Sequence, residues 1–241
     1  MAAFRRPSLL AWLLLATGLA LFVSAGRWQY GKAVLKEREQ RAWAASAVQP
    51  PRPLVPADLA HAQGYDRVQV RGHWMPQRYL LDNQVRDSRA GVELYAPLRL
   101  GNGQVLLVSL GWLPYEGPRR EPPAVPEMGA GEVDLEGVLT PPTAHGLRLG
   151  RGWADSRVWP KLMPYFALDE IATDLGTTLA ARVLRATPPA GTGLVQDWQP
   201  VMSMPPERHR AYAWQWWSLA IAITIVFLVV HRRPRPRPRR P

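Results

Sequence analysis

The chain has 241 residues, with 30 Lys+Arg against 19 Asp+Glu, 25 Pro, 11 Trp, no Cys and a formal net charge of +11. That length is ample for one domain with appendages, and the lack of Cys excludes disulfides, thiolate metal centres, copper carriage by paired thiolates and a Cys nucleophile. A mean hydropathy of −0.18 suits a soluble protein, but the average misleads, because apolar residues gather at the two ends.

Residues 1–7 carry Arg5 and Arg6 and no acid. Residues 8–25 (SLLAWLLLATGLALFVSA) carry no charge; at about 1.5 Å per residue they cover about 27 Å, enough for one transmembrane helix. Val23-Ser24-Ala25 resembles a small-residue cleavage site, but the apolar stretch exceeds a usual signal core, so a retained helix is expected. Arg27 to Ala47 is charged and helix-forming, a stalk continuing the first span. Gln49 to Pro56, with four Pro, reads as a linker, and PADLAHA as a single helical turn.

The period then becomes strand-like. Arg67 to Trp74 alternates, with Val68, Val70 and Gly72 on one face, and Arg78 to Gln84 is the expected partner across Met75-Pro76-Gln77. Val92 to Leu100 and Gln104 to Trp112 flank Gly101-Asn102-Gly103, a strong hairpin signal. Leu113 to Ala130 is a loop by composition, and Glu132 to Leu139 alternates again. Leu168 to Leu175 predicts a short helix ended by Gly176. Arg182 to Ala186 and Gly193 to Trp198 are expected late strands.

Residues 211–230 (AYAWQWWSLAIAITIVFLVV) form a second expected span of about 30 Å, with Tyr212, Trp214, Trp216 and Trp217 crowding an interfacial end. Residues 231–241 hold six Arg and no acid. The expected fold is therefore a membrane protein of the α+β class. Two transmembrane helices flank residues 26–210, a mostly antiparallel, barrel-like extracytoplasmic domain with a helical stalk and few short helices.

Six Arg follow the second span, whereas only Arg208 and Arg210 lie in the twenty residues before it. The C-terminus is thus expected in the cytoplasm, and with two spans the N-terminus as well. Arg27, Lys32, Lys36, Arg38 and Arg41 give a contrary signal after the first span, but long loops translocate largely regardless of charge. The domain between the spans is then expected to be periplasmic. Basicity beside apolar spans, with no recognition motif, argues against nucleic acid and for a lipid surface.

No GxSxG, HExxH, P-loop or GxGxxG occurs, so no enzyme is expected. The five His (His61, His73, His145, His209 and His231) lie far apart, and Asp82, Arg86, Asp87 and Arg89 read as solvated loop charges. Met204 to Ala220 stands out. On a helix it places His209, Tyr212, Ala213, Trp216 and Ala220 along one stripe. Such a stripe serves interfacial anchoring and helix packing; equally, its rings suit a flat ligand and its imidazole suits iron.

These pieces resemble a known family, the surfeit locus protein 1 family of cytochrome c oxidase assembly factors. GRWQYGKAVLKE resembles its G-x-W-Q motif through Gly26, Trp28 and Gln29, with Lys32 where Arg is commoner. AGVELYAPLRLGNGQVLLVSLGWLP resembles its central hairpin through Gly91, Pro97, Leu107, Val108, Gly111, Trp112 and Pro114, with Leu110 where many members have Arg. Trp159-Pro160 resembles its W-P pair. PPERHRAYAWQWWSLA resembles its R-H-x-x-Y-A-x-Q-W signature through Arg208, His209, Tyr212, Ala213, Gln215 and Trp216.

The resemblance implies a two-span protein of the bacterial inner membrane that helps insert heme a into oxidase subunit I, with heme A synthase as a further partner. It implies His209 as a ligand of heme iron. Tyr212, Trp216, Trp28 and Gln215 would lie about the macrocycle, with Arg208 or Arg210 meeting its propionates. A scaffold that holds subunit I without touching heme is the competing reading.

Overall fold

The computed structural model describes residues 6–59, 64–117, 121–129, 131–142, 158–188, 191–195 and 204–232. The chain divides into two compact units, residues 1–41 with 201–241, and residues 42–200.

The first unit is a pair of long helices, α1 (Leu9–Ala47) and α3 (Pro206–Val230). α1 runs on from the apolar segment through the charged stalk without a break. Both helices are long and apolar enough to cross a membrane. Pro206 opens α3 at a position where a missing N–H costs nothing, and Glu207 complements the helix dipole. Trp12 meets Phe227, Phe22 meets Trp216 and Tyr30 meets Trp217, so the helices run antiparallel and Leu9 and Val230 lie at the same end of the pair.

The seam follows a spacing of three and four. On α1 the less exposed positions include Ala11, Leu15, Gly18, Phe22, Gly26, Gln29 and Ala33; on α3 Ala213 and Ala220 are buried. Ala16 and Ala20, a small pair spaced four residues apart on α1 as a close helix contact would require, are exposed. Their phase lies off the seam, and Gly18 and Gly26 supply the close approach. A Cβ at Gly26 would stand 2.2 Å from Nε1 of Trp217. In a bilayer, apolar helices have no hydrophobic reason to associate, and backbone-close packing of this kind is what would hold them there. The outward faces remain apolar and exposed, as at Leu13, Leu14, Ile221 and Val226.

The second unit is built on one eight-stranded sheet: β1 (Arg52–Pro53), β2 (Asp66–Trp74), β3 (Tyr79–Leu81), β4 (Gly91–Leu100), β5 (Val105–Pro114), β6 (Glu132–Thr140), β7 (Lys161–Met163) and β8 (Leu179–Ala186), in the order β1-β2-β6-β8-β5-β4-β3-β7. β2 also pairs with β4, so the pairings run from β2 through β6, β8, β5 and β4 back to β2. At that seam a Cβ on Gly72 would lie 2.5 Å from the Arg99 carbonyl oxygen, which is why the residue there is glycine. Most pairings are antiparallel, but β1–β2, β3–β7 and β5–β8 are parallel.

Several expected elements are present. The hairpin over Gly101-Asn102-Gly103 joins β4 to β5. The turn at PADL is a single 3-10 turn, Pro56–Leu59. Helix α2 (Leu168–Leu175) ends at Gly176, whose left-handed backbone lets its N–H reach the last carbonyls.

Two expectations change. β3 does not fold back on β2; it pairs with β4 and β7, while β2 pairs along its length with the distant β6. The backbone N–H of Met75 is held by the Pro97 carbonyl at 3.0 Å, which steers the chain beside β4. There β3 buries both faces, Leu80 in one core and Tyr79 and Leu81 in another, and that burial outweighs a local hairpin. For the expected strand Gly193 to Trp198, Val195 makes a single bridge to Trp112, and residues 196–198 lie outside the described residues.

The sheet carries two cores. On one face Val68, Leu94, Leu98, Leu106 and Leu184 pack together. On the other face Tyr79, Tyr95, Leu107, Phe166 and Val183 pack under Ile171 of α2. The Tyr79 hydroxyl donates to Asp174 Oδ2 at 2.8 Å, and Lys161 pairs with the same carboxylate. Burial, then the bond to Asp174, push the Tyr79 hydroxyl well above the usual phenol range. The protonated ring therefore stabilises the fold fully below about pH 10, the unfolded value, and that contribution is lost as pH rises from there. Tyr79→Phe should cost about 1.5 kcal/mol at pH 7. The gap between wild type and variant should narrow above about pH 10, by at most ~1.4 kcal/mol per unit. Denaturant unfolding of the full chain across pH 7–11 checks both.

Candidate functional site at the head of the helix pair

Beyond the apolar stretch of α1, polar side chains enter the helix seam. His209 is half-buried, and its Nδ1 lies 2.7 Å from Oε1 of Gln29. The two residues are 180 positions apart and meet only because the helices are antiparallel. Further along the same seam Arg210 pairs with Glu37, which also meets Arg41. Ala33 and Ala213 are fully buried in this stretch. The other ring nitrogen of His209, Nε2, makes no hydrogen bond among the described residues.

The aromatic residues divide into two sets. Trp216 stacks on Phe22 at 5.8 Å, and Trp217 lies against Gly26 and Tyr30, so both pack within the pair. Trp28 and Trp214 are 60% and 67% exposed and Tyr212 is 44% exposed. Trp214 stands edge-on to Trp217 at 5.3 Å. Rings with a polar edge around one level of two apolar helices match a headgroup belt, and the exposed ones offer flat apolar surface.

The sequence-derived stripe thus splits. His209, Ala213, Trp216 and Ala220 face the seam, and Tyr212 flanks it. From the G-x-W-Q motif it is Gln29 that meets His209; Trp28 is exposed, with Lys32 Nζ 6.0 Å from its ring. Gln215 is exposed, as is Arg208, whereas Arg210 is engaged by Glu37. Sequence reasoning passed over Gln29, Phe22, Trp217 and Glu37 as site residues. Gln29 lay within a quoted motif, but nothing local identified its partner.

His231 is elsewhere. It caps the C-terminus of α3, with Nδ1 2.7 Å from the Phe227 carbonyl oxygen and its ring 4.5 Å from Phe227. His73 is exposed on β2. His61, His145 and residues 233–241 of the Arg-rich tail lie outside the described residues. Arg86 and Arg89 exchange backbone hydrogen bonds across a tight turn. Asp87 and Arg89 are exposed, as solvated loop charges would be, whereas Asp82 and Arg86 are half-buried and Arg86 Nη1 is buried without a hydrogen-bond partner among the described residues.

No curated protein matches the chain. The family model described as SURF1 family matches residues 16–221, from within the first apolar helix to within the second. The chain belongs to the SURF1 family, the surfeit locus protein 1 family of its motifs, whose members are assembly factors associated with cytochrome c oxidase.

Proposed function

We propose that this chain carries heme a at the outer rim of the bacterial inner membrane and presents it for insertion into oxidase subunit I, with His209 as a ligand of the iron. One observation carries the reading: His209 sits in the seam of the helix pair with Nδ1 occupied by Gln29 and Nε2 without a partner among the described residues. A neutral imidazole in that state fits iron. Exposed Tyr212, Trp214 and Trp28 supply apolar ring surface nearby, with Trp216 behind them in the seam and Gln215 beside them. Arg208 suits a propionate; Arg210 does so only by leaving Glu37.

The topology reading has matching support. An antiparallel pair sets Leu9 and Val230 at one end, and the Arg-rich sequence after Val230 favours a cytoplasmic side for that end. The domain of residues 42–200 then lies in the periplasm, and its circuit of pairings supports reading it as a small barrel. Heme A synthase is the fitting donor and subunit I the recipient.

The test is the absorption spectrum of protein purified from cells that make heme a. His209→Ala should lower bound heme a at least tenfold with unchanged membrane accumulation. His231→Ala should leave it unchanged, because 22 residues of helix separate the two by about 33 Å. Wild-type heme content in His209→Ala would overturn the ligand assignment, and a wild type that carries no heme a would leave the scaffold reading.

A further inference from the structure

We propose that Gln29 is a positioning residue for His209: its side-chain carbonyl accepts the Nδ1 proton and so holds the neutral imidazole in the tautomer whose Nε2 lone pair is free. The tautomer follows from the orientation of the Gln29 amide, whose oxygen faces Nδ1, and its use toward iron rests on the function proposed above.

A neutral imidazole carries one proton on two nitrogens, and a bond at one nitrogen decides which of them keeps it. Oε1 of Gln29 is an acceptor, and at 2.7 Å it requires Nδ1 to be the donor. Nε2 is then the unprotonated nitrogen, and it has no partner among the described residues. Without Gln29 the proton would distribute over both nitrogens, and part of the population would present N–H where a lone pair is needed. Glutamine does not ionise, so the choice is made without adding charge.

The bond is held in place on both sides. Nearer the apolar stretch, Trp217 lies against Gly26, one turn before Gln29 on α1. Further out, Arg210 pairs with Glu37, two turns beyond Gln29. Partners of this kind orient a ligating imidazole and raise its basicity, and losing one typically lowers metal affinity about 10–100-fold.

The experiment uses the full chain in lipid nanodiscs, labelled with 15N-histidine and made in cells lacking heme a. The His209 ring signals are those missing from His209→Ala. At a pH where the ring is neutral, the wild type should show the Nδ1–H tautomer, Gln29→Leu should lose that preference, and Gln29→Glu should keep it. Heme a titrated into the same samples should bind about 10–100-fold more weakly to Gln29→Leu, with affinity restored in Gln29→Glu. Crosslinking of cysteines placed at Trp12 and Phe227 reports whether the helix pair survives. If Gln29→Leu loses the pair, the wild-type tautomer and the Gln29→Glu variant decide. An Nε2–H tautomer in the wild type, or unchanged tautomer and affinity in Gln29→Leu, overturns the role of Gln29. Either can occur while His209→Ala still loses heme, which leaves the proposed function standing. Heme binding that survives His209→Ala overturns the assignment of His209 as iron ligand and leaves the tautomer result standing.

Discussion

Replacing Gly26 by Leu should drive the two long apolar helices apart. An ideal Cβ at this position falls 2.2 Å from Nε1, 2.5 Å from Cδ1 and 2.9 Å from Cε2 of Trp217, so even one added carbon displaces the indole. Leu brings three more atoms into the same gap. Overpacking of this kind costs about 1–3 kcal/mol, against a helix-propensity gain of about 0.8–1 kcal/mol for losing a glycine. The balance is net separation, in the order Gly26→Leu worse than Gly26→Ala. Gly31 on the same helix is the control: a Cβ there meets nothing within 4 Å, so Gly31→Ala should hold or improve the pair. The chain has no Cys of its own, so cysteines at Trp12 and Phe227, whose rings lie 4.8 Å apart, can be bridged by a short bifunctional reagent. Crosslinking yield should fall several-fold in Gly26→Leu and stay unchanged in Gly31→Ala. Equal yields in both would mean that the Trp217 contact does not hold the pair.

The largest loss in the β domain should come from Asp66→Ala. Arg182 of β8 is 1% exposed, and Asp66 is its anionic partner, with Nη1 donating to Oδ2 at 2.8 Å. Nη2 donates to the Leu139 carbonyl at 2.9 Å and to the Gly64 carbonyl, while Nε has no partner among the described residues. Two carbonyls satisfy protons but do not neutralise a cation, so removing Asp66 leaves a buried charge with no anion in direct contact, offset only by the longer-range attraction of Asp58. Breaking a buried pair this way costs about 3–5 kcal/mol. The low end applies because the Asp66 side chain is 36% exposed and water screens part of the interaction. About 3 kcal/mol corresponds to a fall of about 10 °C in Tm for a unit of this size. Replacing both residues, Arg182→Met with Asp66→Asn, should recover part of the loss, since the buried charge goes with its partner. Thermal unfolding of the full chain in detergent measures all three. A fall under about 2 °C in Asp66→Ala would mean that the carbonyls alone sustain Arg182.

Gly26 and Arg182 illustrate different limits on reading the chain. Gly26 stood out as part of a motif, but its reason is a tryptophan 191 positions away lying on its Cα. Arg182 opened an expected strand, and nothing in RVLRA marks its first arginine as buried and its second as half-exposed.

What the sequence determined alone is whatever depends on neighbours in the chain. The uncharged runs at 8–25 and 211–230 are long enough to cross a bilayer by residue count. The Asn-Gly turn between two apolar runs makes the β4–β5 hairpin, and Gly176 ends α2 because only a left-handed residue satisfies its last carbonyls. The stripe through His209, Ala213, Trp216 and Ala220 follows from helical geometry. Tertiary structure alone decided that β2 pairs with β6 and not with β3, since burying both faces of β3 depends on strands and a helix far along the chain. It also chose Gly18 and Gly26 over Ala16 and Ala20, because the phase of a helix seam is set by both partners. It brought Gln29 to His209 for the same reason: a hydrogen bond across 180 residues exists only once two antiparallel helices have fixed their register.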